Sequence, residues 1–188
     1  MTSRTSHNKI QKLEERLVYS NPWIKLFFDH VRFPDGREGY YNRIIESEGR
    51  HGVAVLPFRR QSIGLVRQFR YPIGQELWEI PRGFGDSNDS RHDALRELEE
   101  ETGIKIELER LVELGPIYPN SGILASQVLL FAADCEDVPE LPKSPKGHEI
   151  TEFRWIQKEE VLSGIASGEI TDAFTLCAVL RARELGII

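Results

Sequence analysis

Four carboxylates, Asp93, Glu97, Glu100 and Glu101, recur at spacings of three and four near the middle of the chain. If residues 91–102 form a helix, these four share one face, and Ala94, Leu95 and Leu98 share another that can meet a core. Local physics works against the acidic face. Each like-charge pair at these spacings costs roughly 0.2–0.5 kcal/mol. Glu100 and Glu101 also fall in the last turn, where the helix dipole disfavours anions by ~0.3–1 kcal/mol. Lysine or alanine would serve folding better, so the cluster points to function. Hard divalent cations, magnesium and manganese, are what clustered carboxylate oxygens bind best. The plain alternative is a solvated acidic surface. Against it stand a glycine-bearing loop just before the helix, Pro81-Arg82-Gly83-Phe84-Gly85, and the adjoining Arg96.

The elements that position this cluster read as follows. Residues 1 to about 10 are a polar tail. From Leu13 to Glu46, LEERLVYS, WIKLFFDHVRF and GYYNRIIE read as short strands, with turns at Asn21-Pro22 and Pro34-Asp35-Gly36. VAVLPF, SIGLVRQF and ELWEI are strand-like and lead into the glycine loop. Ser90 can cap the helix, with Asp93 three residues on as in a capping box, and Gly103 is a natural stop. IKIELERLVEL, SQVLLFAAD and EITEFRWI continue the strands, and PELPKSPKGHE is a loop. Helices are expected near KEEVLSGIAS and from Asp172 onward. The order predicts an α/β fold with an N-terminal antiparallel sheet over residues 1–46 and a main domain over 47–188.

Composition narrows the class. The chain has 188 residues, 40% of them hydrophobic and 29% charged, which suits a globular protein with a real core. A net charge of -6 makes nucleic acid a poor partner, although divalent metal can join an acidic protein to a polyphosphate. Cys135 and Cys177 lie far apart and show neither ligand spacing nor a disulfide framework. The apolar runs are too short to span a membrane, and the first residues are polar, so a cytoplasmic protein is expected.

The segment Arg96-Glu97-Leu98-Glu99-Glu100-Glu101-Thr102-Gly103-Ile104 resembles the second half of the Nudix box, and it fills that half completely. The pattern is glycine, five residues, glutamate, seven residues, then Arg-Glu-aliphatic-x-Glu-Glu-x-Gly-aliphatic. The first half departs from it. Counted forward from Gly83, the family glutamate falls on Asp89, with six residues before Arg96; counted back from Arg96 it falls on Asn88. One residue is missing and the glutamate is replaced. The resemblance implies an α/β/α sandwich with a mixed sheet. It implies that Glu97, Glu100 and Glu101, with the Gly83 carbonyl, hold Mg2+ (Mn2+ as a substitute), and that Arg96 orients a glutamate. The reaction implied is attack of a metal-activated water on a pyrophosphate.

The flanking segments NPWIKL, PDGREGYY, VRQFRYPIGQELWEIPRG, LGPIYPNSG and GEITDAFTL look like the ADP-ribose and nucleoside-diphosphate-sugar pyrophosphatases. Arg67 and Arg70 are then candidates for the diphosphate or terminal ribose, or else plain surface arginines. Glu79 could bind a ribose hydroxyl or pair with Arg70 or Arg82. Trp23, Phe28 and Tyr118 are candidates for adenine stacking, although packing is the common role of such rings. Trp78 and Trp155 read as core. In this branch the base often precedes the last strand, which offers Glu149 first, then Glu152 and His148. Other substrates, a dinucleoside polyphosphate or capped RNA, and a non-catalytic nucleotide-binding module stay open. The apolar load of residues 13–46 is heavy for a small sheet, so a homodimer is expected, as the resemblance also implies.

Overall fold

The structure, a computed structural model, describes residues 9–87, 89–138 and 150–188. The described residues through Arg50, with Asn120–Ser126, form one compact unit, and the others form a second.

The first unit is a four-stranded antiparallel sheet. Its strands are β1 (Gln11–Glu14), β2 (Leu17–Ser20), β3 (Ile24–Arg32) and β4 (Glu38–Glu46). The run LEERLVYS, read as one strand, is broken in two. Between the pieces, the Arg16 carbonyl accepts the Phe28 amide at 2.8 Å, and the Arg16 amide donates to Asp29 at 3.4 Å. Along β3, alternate residues Phe27, Asp29 and Val31 are buried. The Asp29 carboxylate is held by Arg43 at 2.8 Å, and that guanidinium also covers the Phe27 ring. Gly36, at φ 86°, closes the β3–β4 turn in the left-handed region expected of a Pro-Asp-Gly signal. Leu17, Val18, Tyr19, Trp23, Tyr40 and Tyr41 are exposed.

The second unit is a mixed seven-stranded sheet with helices on both faces. Its strands are β5 (Gly52–Arg59), β6 (Ser62–Arg70), β7 (Gln75–Glu79), β8 (Arg82–Phe84), β9 (Leu111–Ile117), β10 (Val128–Asp134) and β11 (Ile150–Gln157), and its helices α1 (Ser90–Thr102), α2 (Lys158–Ser167) and α3 (Ala173–Glu184). The main path runs β11-β6-β5-β10-β9, with β7 on β6 and β8 on β5. β5 and β10 pair in parallel, and the other pairings are antiparallel. The period of two sorts the core into halves. Ala54, Leu56, Leu130 and Ala132 face Val161 of α2 and Ala178, Val179 and Ala182 of α3. Val53, Val55, Phe131 and Ala133 face Ala94 and Leu98 of α1. This is the α/β/α sandwich with mixed sheet that the resemblance implied. Among the described residues, no helix is long and apolar enough to cross a membrane.

The stretch IKIELERLVEL does not form one strand. The strand starts only at Leu111. The carbonyls of Leu108 and Leu111 are taken by the Arg91 guanidinium at 2.9 Å each. Ile104 drops into the core beneath α1 instead.

The segment joining β7 to β8 carries the chain into the glycine loop, and it is tied from two sides. The Pro81 carbonyl accepts the Val55 amide at 2.9 Å. The Ile80 amide donates to the Thr175 hydroxyl at 3.0 Å, and that hydroxyl donates to Asp172 at 2.8 Å. Asp172 in turn caps α3 through the Thr175 amide. Burial raises the Asp172 pKa, against the Thr175 amide and hydroxyl that lower it. The substitution Thr175→Val keeps the shape but orphans the buried Ile80 amide and strips one donor from Asp172. A loss of about 1–3 kcal/mol is expected, read as a lower denaturant midpoint at unchanged slope in urea unfolding.

Candidate active site

Helix α1 starts one residue earlier than the sequence reading. Asp89, not Ser90, is the N-cap, accepting the Arg91 amide at 3.0 Å. Asp89 also meets His92 Nδ1 at 2.8 Å, and these contacts hold its carboxyl below the ordinary value, His92 most strongly. Gly103 ends the helix at φ 75°, with its amide on the Glu99 carbonyl at 2.8 Å. Ala94 and Leu98 are fully buried, so the apolar face does what its spacing predicts.

The acidic face is unusual for its burial. Asp93 and Glu97 are buried, Glu101 is partly so, and Glu100 is exposed. The loop after β8 lies directly on this face. An added Cβ at Gly83 would overlap the Glu97 carboxylate. An added Cβ at Gly85 would lie 2.6 Å from both Asp93 Oδ2 and His51 Nε2. Only glycine admits so close an approach of backbone to side chain. Arg96 and Asp93, one turn apart, fasten the loop with opposite chemistry. Arg96 donates to the Phe84 carbonyl at 2.8 Å and pairs with Glu97 and Glu100, each at 2.8 Å. Asp93 does not close a capping box; its Oδ1 accepts the amides of Asp86 at 3.1 Å and Ser87 at 3.3 Å. Its Oδ2 meets His51 Nε2 at 3.1 Å. Burial works to raise the Asp93 pKa, but the Asp86 amide, Ser87 and His51 outweigh it, leaving the carboxyl below its ordinary value.

Glu97 and Glu101 have the opposite balance. Burial raises Glu97, with Arg96 pulling the other way. Burial pushes Glu101 up to about 8, against the Arg82 amide and the charges of Arg70 and Arg82, while Glu97 adds to the rise. The Arg82 amide donates to Glu101 at 3.1 Å. Glu79, fully buried, takes Arg70 in a two-pronged pair at 2.8 and 2.6 Å and Arg82 at 3.0 Å. Arg82 also lies 4.5 Å over the Phe174 ring.

The other candidates fall elsewhere. Arg67 pairs with Glu76 at 2.8 Å, and Glu152 with Arg154. Glu149 and His148 lie outside the described residues. Trp23 and Phe28 belong to the N-terminal unit, where Trp23 is 76% exposed and Phe28 stacks on Tyr40 at 4.6 Å. Tyr118 is exposed, and its hydroxyl accepts from Gln127 at 3.0 Å. Trp78 and Trp155 pack against the two halves of the core. Sequence reasoning missed His51, which carries no spacing signal toward an aspartate 42 positions on. The pairing of Glu79 with Arg70 or Arg82 was offered from the sequence, and the structure makes both pairs at once.

In type, the donors fit a hard divalent cation: carboxylate oxygens of Glu97, Glu100 and Glu101 beside a backbone loop. Among the described residues, no three acidic, histidine or cysteine side chains already converge on one point. Glu97 and Glu100 turn to Arg96, which holds them by charge.

A mixed sheet between helices, with a glycine loop laid on an acidic helix, is the architecture of a Nudix hydrolase, and the chain belongs to that family. The NUDIX domain matches residues 49–174, and the nucleoside diphosphate sugar hydrolase N-terminal domain matches residues 10–42. Within the family the chain is ADP-ribose pyrophosphatase-like. It is 30% identical over 177 residues to an ADP-ribose pyrophosphatase of Bacillus subtilis (strain 168), covering 90% of this chain and 93% of that protein. It is 30% identical over 164 residues to a methanol dehydrogenase activator of Bacillus methanolicus, covering 86% of each. A crystal structure of an ADP compounds hydrolase superposes with a TM-score of 0.79 at 18% identity, over 96% of both chains, and so shares the fold.

The Gly83–Glu97 contact generates a direct test. In Gly83→Ala the new methyl displaces either the loop or the Glu97 carboxylate. Turnover should fall about a hundredfold, as expected for misplacement of a reacting centre by about an ångström, while thermal unfolding shifts by only a few degrees. Wild-type kinetics in this variant would show that the loop and the glutamate do not act together.

Proposed function

We propose that this protein hydrolyses the pyrophosphate of a nucleoside diphosphate linked to a sugar, with ADP-ribose giving AMP and ribose 5-phosphate as the first substrate. The observation that carries the reading is the glycine loop laid on the buried carboxylates of α1. Glu97, Glu100 and Glu101, with the Gly83 carbonyl, would hold Mg2+, for which Mn2+ is the substitute. When bound, the cation neutralises charge on the diphosphate and lowers the pKa of the attacking water. Arg96 keeps the loop carbonyls and the glutamates in register. Arg67 and Arg70 take the diphosphate or the terminal ribose, with Glu79 fixing Arg70 from below. A P–O bond forms to the water oxygen and the bridging P–O bond breaks. The water's proton passes to one carboxylate, for which Glu149 is the first candidate and Glu152 the alternative. The free thiols Cys135 and Cys177 suit a cytoplasmic enzyme.

The test is release of AMP from ADP-ribose, compared with GDP-mannose, UDP-glucose and diadenosine polyphosphates, in Mg2+ and in chelator. ADP-ribose should give the highest kcat/KM, and chelator should abolish it. Glu100→Gln and Glu101→Gln should each lower kcat by at least about a hundredfold, the upper end for lesser, outer partners of a metal site. Their Tm in chelator should hold or rise, since same-face repulsion is relieved. Earlier melting with full activity would make the acidic face structural.

The reading extends to assembly: a homodimer in which the N-terminal sheet of one protomer contributes to the substrate site of its partner. The exposed Leu17, Val18, Tyr19, Trp23, Tyr40 and Tyr41 support it, an apolar load that a small sheet rarely leaves in water. Trp23 and Phe28 are then the candidates for stacking on adenine. Light scattering at micromolar concentration should give twice the chain mass. Removal of residues 1–46 should abolish both dimerisation and hydrolysis; an active monomer would overturn this.

A further inference from the structure

The loop between Gly83 and α1 is one residue shorter than the Nudix pattern and carries Asn88 or Asp89 where the pattern has glutamate. It is nonetheless fastened to the helix at several points, and most of them converge on one side chain. Asp93 Oδ1 accepts the amides of both Asp86 and Ser87. Asp93 Oδ2 meets His51 Nε2, and the His51 carbonyl accepts the Gly85 amide at 2.9 Å. Gly85 fits between the two with no room for a Cβ. A buried carboxylate with three donors is a rigid anchor, because releasing any of them leaves charge unpaired in the interior. The helix dipole favours a carboxylate in this first turn by only ~0.3–1 kcal/mol, which does not by itself account for burying Asp93 against the loop.

We propose that Asp93 is a positioning residue: with His51 it clamps the shortened loop onto α1 and so keeps Gly83 against Glu97. This rests on the reading of the α1 glutamates as cation ligands. Asp93 itself need not touch cation or substrate. Its work is the acceptance of two amides by Oδ1, and asparagine keeps that acceptor while presenting its amide to His51, which can accept in the other tautomer.

The experiment compares Asp93→Ala, Asp93→Asn and Gly85→Ala with wild type, by Mn2+ binding followed by electron paramagnetic resonance, by amide exchange at Asp86 and Ser87, and by kinetics with ADP-ribose. Asp93→Ala should weaken Mn2+ binding about ten- to a hundredfold and speed exchange of both amides at least tenfold. Its kcat should fall by a similar factor with KM within about twofold. Asp93→Asn should restore binding and exchange to within a few-fold of wild type. Gly85→Ala, which breaks the clamp from the loop side, should match Asp93→Ala and serves in its place if that variant does not fold. Unchanged binding and exchange in Asp93→Ala and Gly85→Ala would overturn the clamp. So would an asparagine variant as poor as alanine, since the charge and not the acceptor would then matter. If wild type binds Mn2+ in an Asp93-dependent way but releases no AMP, the clamp stands and the proposed substrate falls. If wild type binds no Mn2+, both fall.

Discussion

A carboxylate taken out of water has to find donors or lose its charge, and the junction of β7, β8, α1 and α3 takes out several. Each is answered differently. Glu79 is shared by two arginines, Asp172 by the Thr175 amide and hydroxyl, and Asp93 by two loop amides and His51. Glu97 has Arg96. Glu101 is the least compensated, with the Arg82 amide and two arginines at longer range, and its carboxyl is pushed up to about 8. The difference is physically informative. Groups whose charge is fully met are fixed parts of the scaffold, and the group whose charge is not met is the one that a cation can stabilise most.

The same constraint explains the glycines. A loop can lie flat on buried carboxylates only if its backbone carries no side chains toward them, which is why Gly83 and Gly85 alternate along β8 and its exit. The reward of that close approach is that loop amides and carbonyls become partners for the helix face. Asp93 uses the amides and Arg96 the carbonyl at Phe84. A helix face that would be a liability in isolation, by like-charge repulsion, thus becomes stable through contacts supplied from 10 or so residues upstream.

Much of this was legible in the residues themselves. The spacing of Ala94, Leu98, Glu97 and Glu101 placed α1 to within one residue, and the α2 and α3 segments were read as helices. What escaped had two physical causes. Apolar runs do not reveal which carbonyls a distant arginine will claim, so Leu108–Arg110 was read as strand although Arg91 folds it into a 3-10 turn. Pairings between elements distant in sequence likewise leave no local trace. His51 to Asp93 and Ile80 to Thr175 involve ordinary residues whose partnership depends on the topology. The break of LEERLVYS at Glu15–Arg16 is of the same kind, because it is set by Asp29 on the neighbouring strand.

A chain of net charge -6 must still admit a diphosphate to be the enzyme proposed. The arrangement around Glu79 shows how the opposition is managed locally. One buried carboxylate holds two guanidiniums, so the trio keeps a single net positive charge, and Glu79 has no exposed surface through which its own charge could be felt by solvent. Arg70 and Arg82 are partly exposed and act on Glu101 at range. An anion approaching the acidic face therefore meets fixed arginines beside the glutamates, in partly dehydrated surroundings where their attraction is less screened. Long-range repulsion from an acidic surface falls away within about 8 Å at physiological salt, which leaves the choice of ligand to these few neighbouring groups.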